Sequence, residues 1–439
     1  MRSIDRRSAV DRPFPRRYRA VVNAYRVWAE IDLDALAHNL AAIRRRAGPS
    51  RRVMLVVKAD AYGHGAVAIA NHAVRCGIGA LGVGTSAEAI ELRESGVRVP
   101  ILVLGTIIDD EAADCLRHSI QVALHSSDRR AMLQELARRM NVRANVHLNV
   151  DTGMGRLGVL PHRAVELLRE VRASTHLRLA GVMTHVSAPD GARAASTVEQ
   201  ARSFESVLAA ARGERLLEGA SIHMANSASV FTDLRPRYDT VRPGISAYGI
   251  LPIDLPGADE LRPVLSLKSQ IVFLKDVPSN TPVGYSSTWV SERPTRIATL
   301  PLGYNDGVPW RVGNRGQVLV RGRRAPIVGR VSMDYTTIDV GRVPGACVGD
   351  TVTLIGTQDG ETIGVEEVAE QAGTIAYEIT CSVGKRVQRV CVGGQDLVLP
   401  SQPPAGEPRA PVASAPLDGR PGGPRAADRP SPGGREERA

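Results

Sequence analysis

The sequence between residues 33 and 250 alternates short apolar runs, typical of buried strands, with amphipathic runs of helical periodicity. About eight such units, of roughly 25 residues each, follow one another. Strands that alternate with helices pair in parallel, because each crossover helix returns the chain to the same end of the sheet. The pattern predicts an α/β fold, a (β/α)8 TIM-type barrel whose active site lies at the carboxyl ends of the strands. The predicted strands are 53–57, 81–83, 101–104, 121–123, 145–150, 178–183, 221–223 and 239–241.

A different pattern begins after about Pro256, where short strand-like runs alternate with turn residues. Helical periodicity survives there only over 365–372. We therefore expect a barrel over residues 27–255 and a mainly β domain over 256–395, although the first strand of the chain could join the β domain. The strands predicted in this second part are 264–274, 295–300, 316–320, 325–327, 335–339 and 350–354.

The net charge of +10 is concentrated near the N-terminus. Residues 1–26 carry +6 and residues 401–439 carry +1, which leaves only +3 for the rest of the chain. The part that is expected to fold thus has no electrostatic footprint for nucleic acid. We expect the Arg-rich arm 1–26 to be flexible. We expect the Pro-, Gly- and Arg-rich tail 396–439 to be disordered, because it has too little apolar surface to bury.

The sequence also indicates where the protein resides. No run approaches the roughly 18 apolar residues of a membrane span, and the basic N-terminus lacks the apolar stretch of a secretory signal. The five cysteines are scattered and have no metal-ligand spacing, which argues against both a disulfide framework and a metal site. We expect a cytoplasmic protein without a membrane partner.

One lysine stands out in the barrel pattern. The apolar strand 53–57 ends in Lys58, and Ala-Asp-Ala-Tyr-Gly-His-Gly follows directly. An ammonium group is costly to bury unpaired, so this position has two explanations. The aliphatic stem can pack while the charged end reaches water. Alternatively, the amine forms a Schiff base with a carbonyl, such as the aldehyde of pyridoxal 5'-phosphate (PLP). The strand alone leaves both open.

Nine segments spread over residues 27–395 together resemble the alanine racemase family, whose members combine a PLP-binding barrel with a β domain (fold type III). The resemblance implies interconversion of L- and D-alanine, D-alanine supply for peptidoglycan, PLP as cofactor, and a homodimer with shared active sites. The segments are VVKADAYGHG (56–65), NVDTGMGRLG (149–158), MTHVSAPD (183–190), HMANSAS (223–229), VRPGISAYG (241–249), VGYSSTW (283–289), PLGYNDG (301–307), GRVSMD (329–334) and IAYEITC (375–381).

The resemblance implies two catalytic residues, one for each face of the substrate α-carbon. Lys58 would attach PLP and remove the proton of the D-isomer, and Tyr285 would remove that of the L-isomer. By the same resemblance, Tyr285 enters the site from the partner subunit. Without the resemblance, Tyr285 would more simply be an aromatic residue on a strand that packs its ring and exposes its hydroxyl.

The same resemblance assigns the remaining cofactor contacts. Arg242 would face the pyridine nitrogen, where a permanent positive charge disfavours protonation of that nitrogen and weakens the electron sink. His185 would stack on the ring. Without the resemblance, Arg242 would be a surface ion-pairing residue, and His185 could equally be a core histidine or a functional one. Phosphate binding would come from Tyr62, Ser227, the backbone amides of Gly244 and Ile245, and Tyr377, and Asn226 would be a further cofactor contact.

Substrate contacts follow in the same way. Arg156 and the backbone amide of Met333 would hold the substrate carboxylate, since a guanidinium suits a planar anion. Tyr304, Asp334 and Asp190 would line the entrance. The family often has a carbamylated lysine beside this arginine, at the position that Asn149 occupies here. Asparagine cannot be carbamylated, so a bound chloride near Asn149 and Arg156 is our hypothesis for the missing negative charge.

Three alternatives remain at this stage. A serine or broader amino-acid racemase would use the same residues, because a small pocket rejects an added hydroxyl only weakly. A decarboxylase would need an acidic residue at the pyridine nitrogen, where this sequence has Arg242. A non-catalytic PLP-binding protein would usually consist of the barrel alone, without the β domain that carries Tyr285 and Met333.

Overall fold

The computed structural model describes residues 25–187, 194–232, 238–251 and 255–394. Strand β1 (Val27–Asp32) and helix α1 (Leu33–Ala47) precede a closed barrel of eight parallel strands. The barrel strands are β2 (Arg52–Val56), β3 (Ala80–Val83), β4 (Ile101–Val103), β5 (Gln121–Leu124), β6 (Ala144–Asn149), β7 (Leu177–Met183), β8 (Ser221–His223) and β9 (Thr240–Val241).

Helices follow most of the barrel strands and cover the outside of the barrel. Their starts agree with local capping chemistry, since Thr85 and Glu88 form a capping box and the Ser126 hydroxyl accepts an N–H of the first turn of its helix. The helices are α2 (Ala66–Arg75), α3 (Ser86–Glu94), α4 (Asp109–Arg117), α5 (Ser127–Arg139), α6 (Pro161–Ala173), α7 (Ala194–Gly213) and α8 (Ser227–Phe231), and a 3-10 turn, Ile245–Tyr248, follows β9.

The second half of the chain is built from strands in three sheets. A seven-stranded sheet has the order β16-β15-β18-β10-β1-β20, with β19 paired to β18, and smaller sheets join β11-β14-β17 and β12-β13. The strands are β10 (Leu265–Gln270), β11 (Phe273–Val277), β12 (Pro282–Val283), β13 (Trp289–Val290), β14 (Thr295–Leu300), β15 (Gln317–Val320), β16 (Arg323–Pro326), β17 (Thr336–Asp339), β18 (Thr351–Gln358), β19 (Glu361–Ile363) and β20 (Gln388–Val392). Two helices complete it, α9 (Val365–Ala372) and α10 (Ala376–Cys381).

The fold class predicted from the sequence is confirmed, with every predicted barrel strand present. The prediction of the β domain was incomplete, because strands β12, β13, β19 and β20 were not predicted, and two further details were wrong. The predicted strand 264–274 is two strands, because the N–H of Ile271 bonds to Asp350 and that of Val272 bonds to Thr299, in a different sheet. Helix α10 was missed, since six residues are too few to show helical periodicity.

Strand β1 lies in the seven-stranded sheet although it precedes the barrel in sequence. It pairs antiparallel with β10 and parallel with β20, so the first and last described strands are direct neighbours. Every residue from Val27 to Ile31 is buried. The strand that precedes the barrel in sequence is therefore a buried part of the β domain's main sheet.

No helix within the described ranges combines the length and apolar character needed to cross a membrane.

Because β1 is paired on both sides and buried, truncating one of its core side chains should destabilise the fold. Ile31 is fully buried, and Ile31→Ala is expected to lower the free energy of unfolding by about 2–5 kcal/mol. The matched control is Ile108→Ala, at a side chain that is 60% exposed, for which a change within about 0.5 kcal/mol is expected. Chemical denaturation of both variants measures this, and equal midpoints would contradict the core position of β1.

Candidate active site

A cavity of about 200 Å³ opens at the carboxyl ends of the barrel strands. The loops after β2, β6, β7, β8 and β9 line it together with helix α10 of the β domain. The structure brings together here most of the residues that the sequence analysis selected. They are Lys58, Tyr62, Arg156, His185, Asn226, Ser227, Arg242, Gly244, Ile245 and Tyr377.

Lys58 begins a left-handed turn directly after β2. Residues 59–62 all have φ between 52° and 55°, a conformation that costs a non-glycine residue roughly 1–2 kcal/mol. The Glu88 carboxylate accepts the N–H of Ala59 (2.6 Å) and that of Gly84 (2.8 Å), which ties the turn to the end of β3. The Lys58 side chain is exposed, and its amine has no hydrogen bond or ion pair with any described residue. Within one chain this amine is therefore accessible for reaction.

Tyr62 is the last residue before glycine in the left-handed run, is buried, and lines the cavity. Burial, reinforced by Tyr377, raises the pKa of its phenol above the usual range. The ring centroid lies 5.2 Å from that of Tyr248 and 6.0 Å from that of Tyr377. A Cβ atom at Gly244 would be only 2.4 Å from the Tyr62 hydroxyl oxygen, so this close approach requires glycine.

The loops after β8 and β9 are joined by a buried serine. The Ser227 hydroxyl oxygen accepts the N–H of Gly244 (2.9 Å) and that of Ser246 (3.2 Å). The amide between them, that of Ile245, donates to no described residue. Asn226 caps α8, with its Oδ1 accepting the first-turn N–H. Of the two backbone amides predicted to bind phosphate, that of Gly244 is already engaged by Ser227, so only that of Ile245 is available. The two loops thus offer the cavity one backbone donor and a hydroxyl group.

Arg242 is buried at the end of β9. Its Nη2 donates to the carbonyl oxygens of Thr184 (2.7 Å) and Met224 (3.3 Å), and its Nη1 donates to Nδ1 of His223 (2.8 Å). It forms no ion pair with a carboxylate in the described part of the chain. Burial lowers the pKa of Arg242 to about 10, so the guanidinium remains charged at neutral pH.

His185 follows β7 and is neutral. Burial lowers the pKa of its imidazole to about 3, and the positive charges of Arg242, Arg156 and Lys58 act in the same direction. Its carbonyl oxygen accepts a hydrogen bond from Nε2 of Gln200 (2.9 Å), so helix α7 holds the loop in place. A neutral, oriented imidazole is suited to pack against a planar ligand.

Arg156 lies in a loop that is held by a carboxylate. Oδ1 of Asp151 accepts the N–H groups of residues 153–155 at 2.9–3.0 Å. Asn149 lines the cavity and donates from Nδ2 to the carbonyl oxygen of Leu157 (3.1 Å). The amide of Asn149 therefore binds the backbone just after Arg156, and the Arg156 side chain is exposed.

Four of the remaining predicted residues, Tyr285, Met333, Tyr304 and Asp334, do not line this cavity within one chain. Tyr285 is 70% exposed and Met333 is 54% exposed, both in the β domain, and Tyr304 is also exposed there. Asp334 forms an ion pair with Arg386 (2.6 Å) beside a separate cavity. Asp190 lies outside the described residues.

Besides Asp151 and Gln200, four further residues that the sequence analysis did not select contact the residues that line the cavity. Glu88 accepts a hydrogen bond from the turn after Lys58. Arg242 is hydrogen-bonded to His223, which is linked in turn to His147 and Gln121. For His147 a signal was available, because polar residues recur with a period of two along β6, in a strand predicted to be buried. In the sequence, Glu88 has the spacing of an ordinary capping-box residue of α3, and no local sequence pattern indicates its contact with Ala59.

Comparison with known proteins identifies the family. The profile of the alanine racemase N-terminal domain matches residues 31–252, and that of the alanine racemase C-terminal domain matches residues 264–391. The chain is 43% identical over 361 residues to alanine racemase of Syntrophobacter fumaroxidans, which covers 82% of this chain and 95% of that relative. It is 42% identical over 363 residues to alanine racemase of Halothermothrix orenii, with 82% and 96% covered.

Solved structures agree. The alanine racemase of Clostridium difficile 630 superposes with a TM-score of 0.80 at 33% identity, covering 85% of this chain and 97% of that one. The alanine racemase of Bacillus anthracis, solved with bound L-Ala-P, superposes with a TM-score of 0.77 at 31% identity, covering 85% and 96%. On these matches, which extend over both halves of the described fold, the chain belongs to the alanine racemase family.

Proposed function

We propose that this protein is a PLP-dependent alanine racemase that interconverts L- and D-alanine by a two-base mechanism and so supplies D-alanine for peptidoglycan. The observation that carries the proposal is the cavity that combines an accessible lysine amine, a buried charged arginine, and the Tyr62 and Ser227 hydroxyls beside the N–H of Ile245, which donates to no described residue. We also propose a cytoplasmic location, where the five cysteines would remain thiols.

The residues around the cavity fit PLP. The Tyr62 hydroxyl, the Ser227 hydroxyl and the free N–H of Ile245 converge where Gly244 has no side chain, which is suitable for a phosphate group. Lys58 would hold the cofactor covalently through its amine, His185 would pack on the ring, and Asn226 and Tyr377 would complete the cofactor contacts. When bound, PLP supplies an electron sink that stabilises negative charge at the substrate α-carbon.

Arg242 would face the pyridine nitrogen. A guanidinium that stays charged while buried disfavours a second positive charge on that nitrogen. The electron sink is thereby kept weak, which favours return of a proton to the α-carbon over other reactions. A decarboxylase would need an acidic group here, and the described residues place none against Arg242.

The substrate would be oriented by its carboxylate. Arg156 is exposed at the cavity and is unpaired with any described carboxylate, so it can bind an anion. The backbone amide of Met333 would complete this contact. With the carboxylate held, Lys58 Nζ would move a proton on one face of the α-carbon and Tyr285 Oη would move one on the other.

We propose that Tyr285 and Met333 reach the cavity of a partner subunit in a homodimer, with Tyr304, Asp334 and Asp190 at the entrance. Exposed side chains of this size on one domain are what a dimer interface would cover. Tyr285 is absent from the cavity of its own chain, whereas the proposed chemistry needs a second base there. Two chains would then form two shared sites.

Alanine rather than serine is the proposed substrate because the family matches are alanine racemases. An added hydroxyl is rejected only weakly by a small pocket, so slower turnover of serine is expected. The alternatives of a broad-specificity racemase and of a non-catalytic PLP-binding protein are outcomes of the same assay, with L-alanine, L-serine and L-lysine as substrates.

A chloride ion near Asn149 and Arg156 is a separate proposal. Asn149 donates one amide hydrogen to Leu157 and retains a second, and the Arg156 guanidinium beside it has no carboxylate partner among the described residues. Two such donors suit a small anion, which would orient Arg156 in place of a carbamylated lysine.

Two substitutions separate cofactor attachment from catalysis. Lys58→Ala is expected to abolish both racemisation and the visible absorbance of bound PLP, because it removes the attaching amine. Tyr285→Phe is expected to retain that absorbance and to lower racemisation from L-alanine by about 10²-fold or more, because only the hydroxyl is lost. Spectra and a coupled D-alanine assay measure both, and full activity of either variant would refute its assigned role.

Shared sites can be tested by mixing those two variants. A heterodimer of Lys58→Ala and Tyr285→Phe chains would hold one site with both residues intact and one site with neither. Co-expressed, differently tagged chains are therefore expected to recover about half of the activity per dimer, whereas each homodimer stays inactive. A heterodimer as inactive as its parents would mean that Tyr285 serves its own chain.

The anion proposal predicts a dependence on chloride. Replacing chloride by a large anion at constant ionic strength is expected to raise KM for alanine several-fold, since Arg156 loses its orienting charge. Asn149→Lys, assayed with bicarbonate, is expected to make KM independent of chloride. If KM of the unaltered protein does not respond to chloride and Asn149→Lys changes nothing, no anion is bound there.

A further inference from the structure

A row of hydrogen bonds crosses the barrel interior behind Arg242. Nη1 of Arg242 is 2.8 Å from Nδ1 of His223, and Nε2 of His223 is 2.8 Å from Nδ1 of His147. Nε2 of His147 is in turn 2.8 Å from Oε1 of Gln121, the first residue of β5. The row thus runs from the start of one barrel strand to the end of another, through four strands.

The donor and acceptor in each bond follow from the arginine end. A guanidinium can only donate, so Nδ1 of His223 must accept and its proton must be on Nε2. That N–H donates to Nδ1 of His147, whose own proton must therefore be on Nε2. The last N–H needs an acceptor, which the Gln121 side-chain carbonyl provides. Only one assignment of ring protons, with each imidazole protonated on Nε2, allows all three hydrogen bonds to form.

Both imidazoles are neutral, as this order requires. Burial lowers the pKa of His147 to about 3, and that of His223 well below the usual value, with the Arg242 charge acting in the same direction. The two rings meet edge to face with centroids 5.0 Å apart. A Cβ atom at Gly181 of β7 would lie 2.3 Å from Nδ1 of His147, so any larger residue at this position would clash with the imidazole of His147.

We propose that Gln121 and His147 are positioning residues for Arg242. Together they hold His223 in the tautomer whose Nδ1 accepts a hydrogen bond from the guanidinium. In the other tautomer, an N–H of His223 would face an N–H of Arg242, and the guanidinium would turn away from its place in the cavity wall. The functional part of this inference rests on the proposed racemase activity, whereas the tautomers do not depend on it.

The tautomers can be read directly in the full-length protein. Selective ¹⁵N-histidine labelling and NMR distinguish protonated from unprotonated ring nitrogens, with His147→Gln and His223→Gln spectra used only to assign signals. At neutral pH, both rings are expected to carry a proton on Nε2 and none on Nδ1. A proton on Nδ1 of His223, or a doubly protonated ring, would overturn the proposal whether or not the enzyme is active.

Two substitutions at Gln121 test the effect on catalysis. Gln121→Met removes the final acceptor at similar length, and it is expected to lower kcat about tenfold, to change KM for alanine less than about threefold, and to produce a second tautomer of His147. Gln121→Glu keeps an acceptor and is expected to retain the Nε2 tautomers and a kcat within about threefold. The matched control is Gln317→Met, in the β domain, which is expected to leave kcat unchanged.

The outcomes are separable. Unaltered kcat and tautomers in Gln121→Met, or an equal loss in Gln121→Glu and Gln121→Met, would overturn the role of Gln121. Absence of racemase activity in the unaltered protein, with the expected tautomers present, would instead overturn the proposed function. If Gln121→Met fails to fold, the tautomers of the unaltered protein and kcat of Gln121→Glu still decide the proposal.

Discussion

The interior of the barrel mouth is organised around one buried positive charge without a carboxylate partner in the described chain. A charge in this position is tolerated only if dipoles satisfy it, and Arg242 receives two backbone carbonyls and one imidazole nitrogen. Those carbonyls belong to the loops after β7 and β8, so the same contacts order the loops that carry His185 and Asn226. Burial lowers the pKa of His185, His147 and His223, and the Arg242 charge acts in the same direction, so all three imidazoles are neutral.

The lysine end of the site depends on a different constraint. Four successive left-handed residues are unfavourable in isolation, so the turn after Lys58 persists because surrounding groups hold it. Glu88 accepts at its start, and Nε of Arg389, from β20, donates to the carbonyl oxygen of Gly63 at its end (3.1 Å). The β domain therefore supports the barrel loop that carries Lys58, through a strand that is paired directly with β1.

Much of this organisation could be predicted from the sequence, but unevenly. The barrel strands were predictable because apolar runs at a regular spacing are a local signal, and the cavity residues because their motifs are local too. The change of sheet after Ile271 was not predictable, because hydrogen bonds to distant strands determine it. The helix that carries Tyr377 was not predictable either, because its six residues are too few to show helical periodicity. Gln121 was unpredictable for the same reason, as its importance comes only from His147 on the next strand.

The exposure of Lys58 bears on how the proposed site would work. In one chain the amine faces water, which screens its interactions with a bound anion and with Arg156. Closure by Tyr285 and Met333 of a partner subunit would exclude water from the same region in which it supplies the second base. Excluding water would strengthen the attraction of Arg156 for a bound anion, so assembly would supply the second base and the water-free cavity in one step. A chain that binds the cofactor but remains monomeric would then have one base, a wet cavity and little racemisation.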